Sequence, residues 1–146
     1  MKQRRFASSF CIFYAYEMGD FDFTLTSFAK INWILRILGK RSDGYHELCT
    51  IFQTVSLFDE ISFAASDELS LSCDVQGIPC DDRNLILKAA KMLSLETGRR
   101  LGARIHLKKR IPAPGGLGGG SSNAAAALLG LAILWDLRID FAMLVR

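Results

Sequence analysis

The sequence predicts an α+β domain, and three observations carry that prediction. Several stretches in the first three quarters of the chain alternate apolar and polar residues with the period of a strand. A stretch around residue 90 instead places apolar residues at helical spacing. A third stretch, near the end, is apolar nearly all round and follows a run of glycines. Strands that precede and flank two helices define the class. The 146 residues suit one domain, and a hydrophobic content of 50% is enough for a core.

Taken in order, residues 1–22 read as an extension ahead of a domain at 23–146. Residues 1–5 are basic and 6–16 apolar and aromatic, as in a secretory signal, but no small-residue cleavage site follows. The stretch is also acid-poor, with Arg and Ser, as organelle transit peptides are. The readings are an extension or misassigned start, with Met18 as initiator, or a targeting segment.

Residues 23–38 suit one long strand or two bent ones. Ala29, Ile31, Trp33, Leu35 and Ile37 share one face; Lys30, Asn32, Ile34 and Arg36 share the other. Residues 39–44 form a polar turn signalled by Asp43-Gly44. A β-branched and aromatic strand is expected at 48–57, with shorter strands at 60–65 and 68–74 and a loop at 77–83. Ile86, Ala89, Ala90 and Leu93 predict a helix over 84–96, stopped by Gly98. Residues 104–111 alternate again, and 121–137 are expected to form a deeply buried helix. Residues 140–146 read as the opening of a further helix with Asp140 as candidate N-cap, so the chain reads as the N-terminal portion of a longer protein.

Composition narrows the function. The formal charge of +3 comes from 18 Lys+Arg against 15 Asp+Glu. Lys2, Arg4 and Arg5 account for all of it, so the body is neutral and charge makes no case for nucleic acid. The sequence has no apolar run of transmembrane length, so no membrane partner is expected. Four scattered cysteines and two isolated histidines make no zinc pattern, so no metal ligands are assigned. Unpaired thiols fit a reducing compartment: the bacterial cytoplasm, or a plastid if the extension is a transit peptide.

The stretch most informative about function joins strand 104–111 to the last helix. Five of the six residues from Gly115 to Gly120 are glycines, and Ser121 and Ser122 follow at the expected helix start. Glycine serves unusual dihedrals or the close approach of a ligand. A helix N-terminus offers free N–H groups and partial positive charge, which suits phosphate. Two familiar phosphate loops do not fit. The Gly-x-x-x-x-Gly-Lys-Ser/Thr loop needs a lysine where Ser121 stands. The dinucleotide fingerprint needs a third glycine, again at Ser121, and no acidic residue follows until Asp136, inside the predicted helix.

The remaining pattern, Pro112-x-x-x-Gly116-Leu117-Gly118-Gly119-Gly120-Ser121-Ser122, resembles the phosphate-binding motif of the GHMP kinases. The triple glycine before Ser-Ser-Asn-Ala-Ala resembles, within that superfamily, the 4-diphosphocytidyl-2-C-methyl-D-erythritol kinases. Ala29-Lys30-Ile31-Asn32 followed by Gly39-Lys40-Arg41-Ser42-Asp43-Gly44-Tyr45-His46 is similar to the N-terminal signature of the same family. The likeness runs over about 26–139 and takes in Arg83-Asn84-Leu85-Ile86 and Lys109-Arg110-Ile111-Pro112.

The resemblance implies a domain of the ribosomal protein S5 domain 2-like type, with a mixed or antiparallel sheet packed against helices. It implies transfer of the γ-phosphoryl group of ATP, helped by Mg²⁺, to the 2-hydroxyl of 4-diphosphocytidyl-2-C-methyl-D-erythritol, a step of the non-mevalonate isoprenoid pathway. The partner implied is that small molecule. Lys30 matches the family's active-site lysine, a cation able to hold the acceptor hydroxyl, lower its pKa or offset phosphoryl charge. Asn32 is expected on the acceptor, Tyr45 stacked on cytosine and His46 on the cytosine edge. Asn84 and Lys109 match positions near adenine, although Asn84 equally suits a helix N-cap. Pro112, Ala113, Pro114, Gly115, Gly116, Leu117, Gly118, Gly119, Gly120, Ser121 and Ser122 are expected to wrap the phosphates, with either serine free to cap the helix, donate to a phosphate oxygen or reach the metal.

Departures bear on the reaction. The family's base is an aspartate in a Gly-Ala-Asp-Val-Pro-like segment beyond this helix. No such segment occurs here, and neither Asp136 nor Asp140 matches it. A second glycine-rich segment, from a C-terminal domain, is also not in this sequence. Residues 1–146 alone are therefore expected to show no turnover. Phe28 stands where proline is frequent, Pro114 where many members have a small residue, and Asn123 where aspartate is commoner. The competing readings are another GHMP kinase, such as a mevalonate-pathway or homoserine kinase, and a non-catalytic nucleotide-binding module.

Overall fold

The computed structural model describes residues 4–8, 11–99 and 101–138. Among the described residues, six strands form one sheet in the order β1-β2-β3-β4-β6-β5: β1 Arg4–Ser8, β2 Cys11–Met18, β3 Phe21–Lys40, β4 His46–Ala65, β5 Leu69–Cys73 and β6 Ala103–Lys108. Neighbours are antiparallel except β5 and β6, which run parallel and are joined through helix α1, Leu85–Thr97. Helix α2, Gly119–Leu134, ends the described architecture. The α+β class and the mixed sheet are as the sequence predicts. The predicted helix opening at 140–146 lies outside the described residues.

Several boundaries differ from expectation, each for a tertiary reason. Within the extension, residues 6–8 lie in β1 and residues 11–16 in β2, and β2 pairs with the edge of β3. The strands expected at 48–57 and 60–65 are one strand, β4. Asp59 and Glu60, a polar break in sequence, are held in the ladder by Ser27 on one side and Lys108 on the other. Strand β6 stops at Lys108 because the next residues leave the sheet and bond to Asp59. Helix α2 begins two residues earlier than expected, set by Gly118 at φ +73°, a left-handed conformation that glycine adopts without steric cost.

The core lies between the sheet and one side of the two helices. Leu25, Ile61, Phe63, Ile105 and Leu107 meet Ile86, Ala90, Leu93, Ala126, Ala127 and Leu131. The closest approach is at Gly130, where an added Cβ would sit 2.4 Å from the Phe63 ring. Only one side of α2 is buried: Ala125 and Ile133 are exposed, which corrects the expectation of burial all round. Helix α1 is closed at both ends by its own sequence. The Asn84 side chain accepts from the Ile86 N–H at 2.9 Å, and Gly98 takes the left-handed C-cap at φ +65°.

The β3–β4 hairpin changes character along its length. Near its base, residues 24–27 and 61–64 are buried. Beyond residue 31 it projects past the helices, leaving Trp33 at 67% and Tyr45 at 74% exposure despite the same apolar alternation. The tip turns at Gly44, φ +90°, where the Asp43 carboxylate accepts from the Tyr45 N–H at 3.1 Å.

Candidate nucleotide and acceptor site

The glycine loop lies between the base of the hairpin and the start of α2. Gly116 and Gly118 both have left-handed backbones, at φ +65° and +73°. A Cβ on Gly118 would fall 3.0 Å from Lys30 Cγ, so the missing side chain is what lets Lys30 lie against the loop. Helix α2 has no side-chain cap, which settles the capping alternative against Ser121 and Ser122. The N-cap thus brings no side-chain acceptor to the N–H groups of the first turn, which carry the positive end of the helix dipole.

Strand β3 supplies the residues facing this loop. The Lys30 backbone N–H donates to Leu117 O at 2.9 Å, and its ammonium donates to Gly116 O at 2.9 Å and to Asn32 Oδ1 at 2.6 Å. Asn32 donates onward to Thr50 Oγ1 at 2.7 Å, and Thr50 to Ile34 O at 2.9 Å. This relay orients Lys30 through neutral groups only. The buried Ser27 hydroxyl donates to Ser122 Oγ at 2.9 Å. Strict alternation would put Ser27 and Lys30 on opposite faces. Both reach the start of α2 across an irregularity between Phe28 and Lys30, where the register against β4 shifts.

Lys109 is held differently. Its ammonium is turned into the protein, donating to Asp59 Oδ2 at 2.9 Å and also to Ile111 O. Lys109 also borders a cavity of about 340 Å³ between residues 75–78 and 109–113, which includes Pro112 and Ala113 of the loop. At the rim, the Lys109 backbone N–H and the Arg110 guanidinium hold the Asp74 carboxyl below its ordinary range. Asn84 does not line this cavity. Both ends of its amide are engaged, with Nδ2 on Pro79 O at 2.7 Å. Just before it, Arg83 holds Asp81 at about 2.

Tyr45 and His46 sit at the hairpin tip, and His46 pairs with Lys40. Among the described residues, neither is bonded to Lys30, Asn32 or the glycine loop. The fold thus gathers Lys30, Asn32 and the loop at one point, sets Lys109 beneath it, and leaves Tyr45 and His46 apart. Sequence reasoning missed Ser27, Asp59 and Asp74. A readable signal existed only for Asp59, a carboxylate in the apolar run Leu57-Phe58-Asp59-Glu60-Ile61.

Residues 84–146 match the family described as GHMP kinases N terminal domain. The chain is 50% identical over 127 residues to 4-diphosphocytidyl-2-C-methyl-D-erythritol kinase of Alcanivorax borkumensis, covering 84% of this chain and 42% of that relative. This is a GHMP kinase N-terminal domain. The domain is likewise 50% identical over 116 residues to the kinase of that name from Chlorobium phaeobacteroides, covering 80% of this chain and 41% of the relative. A crystal structure of 4-(cytidine 5'-diphospho)-2C-methyl-D-erythritol kinase superposes with a TM-score of 0.67 at 37% identity, covering 84% of this chain and 44% of that one. The GHMP domain thus spans about two fifths of the length of the curated relatives it matches.

Proposed function

We propose that this domain binds ATP, and that the protein it belongs to transfers the γ-phosphoryl group to the 2-hydroxyl of 4-diphosphocytidyl-2-C-methyl-D-erythritol. The observation that carries the proposal is Lys30, laid against an uncapped glycine loop with its ammonium 2.9 Å from Gly116 O and no carboxylate beside it among the described residues. The names and identities of the relatives supply the acceptor.

Phosphoryl transfer asks for positioning and charge compensation more than covalent help. The first-turn N–H groups of α2 and the N–H groups of 115–118 would hold the phosphate oxygens. Lys30, oriented by Asn32, would face the transferring group and the acceptor hydroxyl. The cavity beside Pro112 and Ala113 would take the adenine, with Lys109 as one wall. Mg²⁺ would shield charge between the phosphates. No metal-holding cluster of His, Cys, Asp or Glu occurs among the described residues, and Ser121 or Ser122 would supply a hydroxyl oxygen to it. Such an ion draws much of its coordination from substrate phosphates and water.

Tyr45 and His46 would hold the cytosine, the part of the proposal that rests on resemblance alone. Calorimetric titration of ATP and of a cytidine diphosphate ligand tests both halves. Tyr45→Ala is expected to weaken the cytidine ligand about tenfold or more, the usual worth of an aromatic–base stack, and to leave ATP unchanged. Equal losses for both ligands would remove the stacking role. No ATP binding by the unaltered chain would remove the cradle.

A further inference from the structure

We infer that Asp59 is the positioning residue of the glycine loop, gripping the chain at both the entry and the exit of the phosphate cradle without touching the nucleotide. The inference rests on the reading of 112–122 as a nucleotide cradle. Asp59 lies on β4, is 0% exposed, and spends both carboxylate oxygens on four donors. Oδ1 accepts from the backbone N–H groups of Arg110 at 2.6 Å and Ile111 at 2.7 Å. Oδ2 accepts from Lys109 Nζ and Asn123 Nδ2, each at 2.9 Å. An ionised carboxylate has about four acceptor positions, so its capacity is filled.

The placement of those donors is what matters. Arg110 and Ile111 immediately precede Pro112, where the loop begins. Asn123 lies in α2, four residues past Gly119. One buried carboxylate thereby closes the span from residue 111 to residue 123 and fixes both ends of the loop. The grip also reaches the first helical residue. A Cβ on Gly119 would sit 3.0 Å from Ile111 Cγ2 and 3.4 Å from Lys109 Nζ, so the backbone that presents the first-turn N–H groups rests on the segment Asp59 holds. A hydrophobic cluster could supply comparable stability at such a site. It could not hold two backbone N–H groups, an ammonium and an amide at one point.

The test compares Asp59→Asn and Asn123→Ala with a control, Leu93→Ala, which destabilises the core from α1 without touching the loop. Asp59→Asn keeps the shape but turns a donor toward Lys109 and Asn123. Melting temperature, ATP affinity and backbone amide exchange are measured on the 146-residue chain. In folded protein, Asp59→Asn is expected to weaken ATP at least tenfold and Asn123→Ala at least threefold. Both should speed exchange at 115–121 while leaving β6 protected. Should Asp59→Asn fail to fold, Asn123→Ala carries the test. Unchanged loop exchange and ATP affinity in a folded variant would overturn the inference. So would losses no larger than those of Leu93→Ala at a matched melting temperature. If the unaltered chain binds no ATP, the nucleotide reading fails, and the exchange contrast between loop and β6 alone decides the role of Asp59.

Discussion

Lys30 and Lys109 both border the glycine loop, and they are held in opposite ways. Lys30 donates to a carbonyl and an amide, both neutral, so neither partner cancels its charge. Lys109 is 8% exposed and paired with a fully buried carboxylate, so its charge is cancelled locally. The family resemblance marks both as cations of the site. The partner each one finds decides which keeps its charge beside the loop and which supports the loop from below.

The contrast breaks most sharply on stability. Lys109→Met strands the Asp59 charge in the core, and the expected loss is about 3–5 kcal/mol in chemical denaturation. A loss below ~1 kcal/mol would mean that the pair is not the strut described. Lys30→Met should show the reverse pattern. Its stability is expected to stay within about 0.5 kcal/mol, as for a surface change. Its ATP affinity is expected to fall about ten- to a hundredfold, matching a lost charged hydrogen bond of ~1.5–3 kcal/mol. Unaltered affinity by calorimetry would return Lys30 to the role of a solvated strand lysine.

The smallest effect separates the buried ion pair from the exposed one nearby. Asp74 is held below its ordinary range by the Lys109 backbone N–H and by Arg110, so its ionised form stabilises the fold. That contribution is fully present above the unfolded value of about 3.9 and is lost as pH falls through the lower folded value. Asp74→Asn should therefore cost on the order of 0.5 kcal/mol at neutral pH, and the gap should close in acid. A gap that widened as the pH fell through the carboxylate range would place the coupling elsewhere.

The legible parts were local. Helix α1 could be read from four apolar positions, an N-cap asparagine and a glycine stop, all within fifteen residues. Lys30 and Asn32 could be placed together because two positions along a strand share a face, and their side chains are bonded. The hairpin shows where this reading stops. Its alternation is alike at both ends, yet Leu25 is buried and Leu35 exposed, because pattern records which face a residue takes and not whether anything packs on that face. Ser27 was missed for a related reason: strict alternation turns it away from Lys30, and an irregularity in register brings both to α2.

By itself, the sequence determined the class of the fold and the glycine-rich turn that leads into α2. These follow from periods of two and 3.6 residues and from glycine's freedom, all short-range properties. Only the tertiary structure decided that Asp59 and Glu60 continue a strand, that Lys109 supports the loop through Asp59, and that Ser27 reaches Ser122. Each depends on partners distant in sequence, such as the 50 positions between Asp59 and Lys109. Burial and charge pairing are settled by which distant segments meet, and no local pattern encodes that.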